Sequence, residues 1–135
     1  MYRYTWQDFV EDFITIRLAL KRDGRKFTGI YCASDGGLPL AACLSTYFGI
    51  PLHTTPPIER DGNGDLVYDA DLMIVDDVAD NGRMLGEFNR AGFFIVTLFK
   101  NRQGVVSPNI YTKELPSPQH IAFPWQKEND PVKPR

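Results

Sequence analysis

No stretch of this chain is apolar for long enough to span a membrane, and the N-terminus is polar and aromatic without the apolar core of a secretory signal. Cysteine is scarce. Cys32 and Cys43 make neither a CxxC pair nor a disulfide framework, so they read as reduced thiols in a cytoplasmic protein. Basic charge is not in excess: a formal net charge of −2 lacks the clustered Lys and Arg that a phosphate backbone demands, which argues against a nucleic-acid partner. There is no internal repeat, and His53 has no metal-ligand partner at a recognisable spacing and reads as structural. What is present is 135 residues at 43% hydrophobic content, enough for one domain with a real core and too apolar for disorder.

Strand-like and helix-like runs alternate along the chain. Thr5 reads as an N-cap with Asp8 as its capping-box partner, and Trp6, Phe9, Val10, Phe13, Ile16 and Leu20 follow at helical spacing until Gly24. Strands are predicted over Thr28–Ala33, Ile50–Thr54, Leu72–Val75 and Phe93–Phe99, with a short one near Leu66–Tyr68 and a further candidate at Ile110–Thr112. Helices are predicted over Leu38–Phe48 and Arg83–Ala91, and Pro56–Tyr68 reads as a polar surface loop. From Lys113 the prolines suggest an irregular tail, frayed over residues 128–135. The expected architecture is α/β: one domain over residues 1–127, with a mostly parallel twisted sheet flanked by helices through right-handed crossovers.

The most informative segment is Leu72–Leu85, LMIVDDVADNGRML. Four apolar residues end abruptly in Asp76 and Asp77, and a turn containing Asn81-Gly82 leads into a helical pattern. Strand, acidic edge, tight turn and helix N-terminus together form a pocket for a phosphorylated, metal-bound ligand. The competing reading is a pair of solvated acids at a strand end before an ordinary turn.

DDVADNGRM resembles the phosphoribosyl-diphosphate (PRPP) signature of the type I phosphoribosyltransferases, with Asn81 and Met84 standing where that family usually has Thr. GIYCASDGGLPLAACLSTYFGIPL is similar to the family's first strand, glycine loop and following helix. The opening YTWQDFVEDFITIRLAL and the closing PSPQHIAFPWQ resemble the xanthine–guanine branch in particular, and Pro56–Tyr68 takes the place of the family's mobile hood as a short loop.

The resemblance implies a fold, a reaction and a set of roles. Asp76 and Asp77 would face the ribose hydroxyls and the Mg²⁺ carried by PRPP, with Asp77 on the metal side. Asp80, Asn81, Gly82, Arg83 and Met84 would cradle the 5′-phosphate through backbone N–H groups and a helix N-terminus. Two hydroxyl donors are lost there, although the Asn81 amide can still donate and Arg83 either offsets the loss or points to solvent. Asp80 would also exchange a proton with N7 of a purine-like base, its plainer role being a helix N-cap.

In the loop Ser34-Asp35-Gly36-Gly37, Gly36 and Gly37 let the backbone approach pyrophosphate. Asp35 stands where the family has Arg or Lys. A carboxylate ~4 Å from a phosphate charge costs about 4 kcal/mol at an effective dielectric of ~20, so Asp35 turns away, helps to hold a metal, or weakens PRPP binding. Lys100 would donate to the base, or the alignment slips by one residue to Asn101, or Lys100 is a plain surface lysine. His120 would stack on the base and Ile121 would meet it through backbone, while Trp125 reads as core or interface packing. Arg60 on the hood could reach the pyrophosphate. The implied protein is a homo-oligomeric transferase; the alternative is a nucleotide-binding protein that keeps the fold without turnover.

Overall fold

The computed structural model describes residues 1–32, 34–56, 59–67, 69–80 and 82–127, with the backbone alone at Leu66 and Arg83. The proposed tail over 128–135, and the readings of Ala33 and Asn81, lie outside the described residues. In chain order the elements are β1 (Tyr2–Arg3), α1 (Trp6–Asp23), β2 (Gly29–Cys32), a 3₁₀ turn (Asp35–Gly37), α2 (Leu38–Phe48), β3 (Leu52–His53), β4 (Glu59–Arg60), β5 (Leu66–Val67), β6 (Leu72–Ala79), α3 (Arg83–Arg90), β7 (Phe94–Asn101), β8 (Lys113–Leu115) and β9 (Ile121–Ala122). Five of the strands form one parallel sheet in the order β3-β2-β6-β7-β8. Among the described residues no helix is long and apolar enough to cross a membrane.

Strand periodicity divides the apolar residues between two cores. Ile30 and Cys32 of β2, Met73 and Val75 of β6, and Phe94, Val96 and Leu98 of β7 face α1 and α2. Their alternates, Tyr31, Leu72, Ile74 and Ile95, face α3 with Leu85 and Phe88. A sheet covered on both faces needs near-continuous apolar strands, which is why β2 and the first half of β6 are buried throughout.

The helix signals operate as chemistry predicts. Thr5 Oγ1 accepts from Asp8 N at 3.1 Å while the Asp8 carboxylate accepts from Thr5 N at 2.9 Å, closing the capping box of α1. Gly24 ends that helix in the left-handed region at φ 74°, where a Cβ would be strained. Both cysteines are free thiols.

Several expectations are corrected. The strand expected to stop at Val75 runs on to Ala79, because β7 offers backbone partners as far as Ala79↔Lys100. The candidate strand at Ile110–Thr112 reduces to one bridge, Val96↔Ile110, and the strand proper is β8. The tail after Lys113 is not irregular over its described part: it supplies β8 and β9, and β9 pairs in parallel with β1 through Tyr2↔Ile121 and Arg3↔Ala122. Tyr2, Tyr4, Phe123 and Trp125 pack edge-on or stacked around Phe99 and Phe9, giving those short strands a floor. The hood expected as a loop contains a small antiparallel hairpin, β4 with β5, whose turn is held by Asp61 accepting from Asn63 N and Asp65 N.

Beneath β9 lies a buried polar knot. Asp12, 6% exposed, accepts from Tyr4 Oη at 2.7 Å and from Lys113 Nζ at 2.8 and 2.7 Å. Burial raises the Tyr4 phenol far above its ordinary value, so it stays a donor. Asp12→Ala should leave Lys113 without its acceptor. Breaking a fully buried pair costs ~3–5 kcal/mol, and the partial exposure of Lys113 places this one at or below the low end. Urea unfolding should show the loss for Asp12→Ala and a smaller one for Tyr4→Phe; an unchanged midpoint for Asp12→Ala would contradict the account.

Candidate functional site

The register Cys32↔Val75 brings the C-terminal ends of two adjacent parallel strands level, so the turn after β2 emerges beside Asp76 on β6. Ser34 Oγ donates to Asp76 Oδ1 at 2.5 Å, and the same oxygen accepts from Asp77 N at 2.8 Å. Asp77 Oδ1 accepts from Val78 N at 2.8 Å. The two acids therefore sit inside the strand, not beyond its end, with their carboxylates fixed by local N–H groups and one hydroxyl.

Glycine lets the turn settle on those acids. A Cβ at Gly37 would lie 2.8 Å from Asp76 Cα and 3.2 Å from Cys32 Sγ, and one at Gly36 would run into the Asp77 carboxylate. Only residues without side chains allow this approach. The Cys32 thiol donates to Ser34 O at 2.9 Å and is pushed by burial up to about 11, which suits a structural thiol rather than a nucleophile.

Burial raises the Asp77 carboxyl from 3.8 to about 7, helped by the hydrogen bond and the negative charge of Asp76. The folded protein thus holds a proton that the unfolded chain releases near pH 4, and raising the pH favours the unfolded state, which has already lost it. Stability should fall as pH rises from about 4 to 7, then level off. Asp8 and Asp69, whose carboxyls are lowered by hydrogen bonds from Thr5 and Thr28, act with the opposite sign and only in more acid solution. Melting temperatures taken from about pH 5 to 8 should decline for the parent and stay flatter for Asp77→Asn; a rise for the parent would refute the sign.

Beyond the pair, Asp80 does not cap α3. The cap position is Gly82, which has no side chain to offer, and among the described residues no side chain caps the first-turn N–H groups of α3. Asp80 Oδ1 instead accepts from Asn101 Nδ2 at 3.3 Å. Asn101 is 2% exposed, its Oδ1 accepts from Gln103 N at 3.0 Å, and its carbonyl accepts from Gly104 N at 2.9 Å. The turn after β7 is thereby folded against Asp80. Sequence reasoning passes over Asn101 as an alignment slip of Lys100; its signal is visible only in the parallel register that ends both strands together.

The remaining predicted residues are placed as follows. Met84 is exposed at the start of α3, with Tyr31 Oη 3.6 Å from its sulfur. Lys100 lies inside β7 rather than after it, its Nζ 5.4 Å from the centre of the Tyr111 ring. His120 is exposed and its carbonyl accepts from Tyr2 N at 2.9 Å, while the Ile121 side chain is buried in the core. Neither shares a hydrogen bond with the acid pair among the described residues, and their ladder rests on Phe99, the neighbour of Lys100. Asp35 is exposed in the 3₁₀ turn. Arg60 is taken elsewhere: it pairs with Glu87 of α3 and donates to Gly64 O at 2.9 Å, which ties the hairpin to the helix. Trp125 is packing, stacked on Phe123 at 4.8 Å.

No family model matches the chain, and no curated protein matches it in sequence. Solved structures do. A purine phosphoribosyltransferase from Pyrococcus horikoshii is 25% identical over 98% of both chains, with a TM-score of 0.72. The Helicobacter pylori xanthine-guanine-hypoxanthine phosphoribosyltransferase is 18% identical over 92% of both chains, with a TM-score of 0.67. A Neisseria gonorrhoeae protein solved with bound ppGpp is 18% identical, covering 93% of this chain and 90% of its own, with a TM-score of 0.62. Coverage of 90% or more in both directions means that the likeness of fold extends along nearly the whole chain.

Proposed function

On the type I phosphoribosyltransferase fold that this chain adopts, we propose that the protein transfers the 5-phosphoribosyl group of PRPP to a purine-like base, giving a nucleoside monophosphate and pyrophosphate. The supporting observation is the seating of Ser34–Gly37 on Asp76 and Asp77, with Asp80 held by Asn101 just beyond. In this reading the two carboxylates accept the ribose hydroxyls, and the N-terminus of α3, which no described side chain caps, takes the 5′-phosphate. The bond from C1′ to the diphosphate oxygen breaks, the base nitrogen bonds to C1′, and Asp80 takes the proton from N7. Pyrophosphate leaves toward Gly36 and Gly37. Positioning and electrostatics carry most of the rate. Lys100, the exposed His120 and the backbone of Ile121 complete the base side, in the manner of the xanthine–guanine enzymes.

Among the described residues no cluster of three or more His, Cys, Asp or Glu forms a metal cage, but the pair Asp76–Asp77 makes no salt bridge there either. The oxygen donors of Asp76 and Asp77 fit a Mg²⁺ arriving on the diphosphate, which Asp77 would hold once the cation displaces its proton. When bound, that cation would offset the charge developing on the leaving group.

Release of pyrophosphate from PRPP, assayed base by base with guanine, xanthine and hypoxanthine, should be readily detected. No release with any base, together with no calorimetric heat from Mg²⁺-PRPP, would remove the reading. Asp35 favours a second one, purine-nucleotide binding without turnover, because it places a negative charge beside the diphosphate. Tight nucleoside monophosphate binding without turnover would select it. The reading includes a cytoplasmic homo-oligomer. Trp6, Val10, Ile14 and Leu18 leave an exposed apolar ridge along α1, at 54, 49, 38 and 44% exposure, that a second copy would cover. A monomer by light scattering would dispose of the oligomer.

A further inference from the structure

At the far end of the sheet from the acid pair, where β2 and β6 begin, the structure contains a concavity. It has a volume of about 390 Å³, within the range of small-molecule sites. Leu20 from α1, Phe48 from the end of α2, Ile50 before β3 and Met73 of β6 make its floor. Leu20 and Met73 are themselves core residues, 4% and 1% exposed, so the floor is rigid. The rim has a different chemistry. Lys21, Arg25 and Lys26 stand around it, and among the described residues no acid lines it.

The three cations are not consumed by the fold. Lys21 donates to Tyr47 Oη at 3.0 Å, which spends one of its three protons. Arg25 has its guanidinium carbon over the Phe94 ring, 4.6 Å from its centre, and meets Asp23 only at 3.6 Å in a half-exposed pair. Lys26 makes no salt bridge among the described residues. A chain of net charge −2 has thus gathered three cations on one apolar depression, away from the diphosphate they would otherwise serve.

We propose that this cavity is a second ligand site, for a small amphiphilic carboxylate: an aryl or short alkyl body against Phe48, Ile50 and Met73, with its anionic group among Lys21, Arg25 and Lys26. Apolar burial supplies the affinity and the rim selects the charge. The site is independent of the transferase reading, because none of its residues belongs to the acid pair, the glycine turn or α3.

The chain's three methionines make the test direct. Met73 lies in the cavity floor, and Met84 lies beside Tyr31 at the start of α3, so ¹³C-methyl spectra report the two regions separately. Titration with 4-phenylbutyrate should shift the Met73 methyl saturably and leave Met84 in place. The neutral analogue 4-phenylbutanol should bind about fivefold more weakly, as should the acid to Lys26→Glu, whose fold circular dichroism would verify. A Met73 methyl unmoved at millimolar acid, a shift at Met84 in its place, or equal binding of acid and alcohol would each overturn the proposal. The acid–alcohol comparison on the unaltered chain decides the charge question even if the variant misfolds.

Discussion

Asp80→Asn is expected to lower kcat for phosphoribosyl transfer by ~10²–10⁴-fold, the usual contribution of a positioned acid–base group, while leaving PRPP affinity nearly unchanged. The substitution is close to isosteric. The carbonyl oxygen of the new amide can still accept from Asn101 Nδ2, which lies 3.3 Å from Asp80 Oδ1 in the parent, so the turn after β7 should keep its seat. What disappears is a carboxylate able to take a proton from the base. Asn101→Ala tests the same carboxylate from behind. It removes one donor whose net worth is ~1 kcal/mol, and kcat should drop about fivefold without the loss of the acid limb of the pH profile. Pyrophosphate release under saturating PRPP reads both variants. Full activity in Asp80→Asn would end the assignment, and the base proton would then have to leave through water.

The two-core sheet could be read from composition because its signals are local. β2, β6 and β7 are runs of apolar residues flanked by breakers, and α2 is bounded by a glycine turn before Leu38 and by Gly49 after Phe48. The places where sequence reasoning failed share one physical cause: the partner is distant in the chain. Nothing near Asp80 announces Asn101, 21 residues on, and Asp next to a helix start is ordinarily a cap. Arg60 sits on a polar loop that reads as free, yet Glu87 of α3 claims it across 27 residues. β1 and β9 are two residues each, too short for any period, and exist because Tyr2 and Phe123 both bury against Phe99. The acid pair stands out in the sequence for the opposite reason. Two carboxylates directly after four buried apolar residues are an electrostatic anomaly visible within six letters, and the register of β2 with β6 sets the glycine turn beside them.

That glycine turn leads to the second large effect. Gly37→Ala should lower stability and weaken PRPP binding together, although its φ of −85° is one that alanine adopts freely. On backbone grounds alone the change would be mildly stabilising, by ~0.4–1 kcal/mol, because alanine restricts the unfolded chain. Packing reverses the sign. The new methyl would meet Asp76 Cα at 2.8 Å and Asp76 C at 3.2 Å, and backbone in the central strand of a five-stranded ladder has nowhere to go. Overpacking of this kind costs ~1–3 kcal/mol, relieved only by lifting the turn, which breaks the Ser34–Asp76 hydrogen bond. Gly36→Ala separates the two consequences. Its methyl meets the end of the Asp77 side chain rather than backbone, held by one hydrogen bond from Val78 N, so the loss of stability should be smaller than at Gly37 while PRPP affinity drops by an order of magnitude or so. Gly62→Ala, with nothing within 4 Å of the new methyl, is the control and should alter neither. Denaturation midpoints and PRPP titration calorimetry on the three variants give the ordering. A Gly37→Ala protein as stable as the parent, with parental PRPP affinity, would mean that the turn does not rest on the acids as the structure has it.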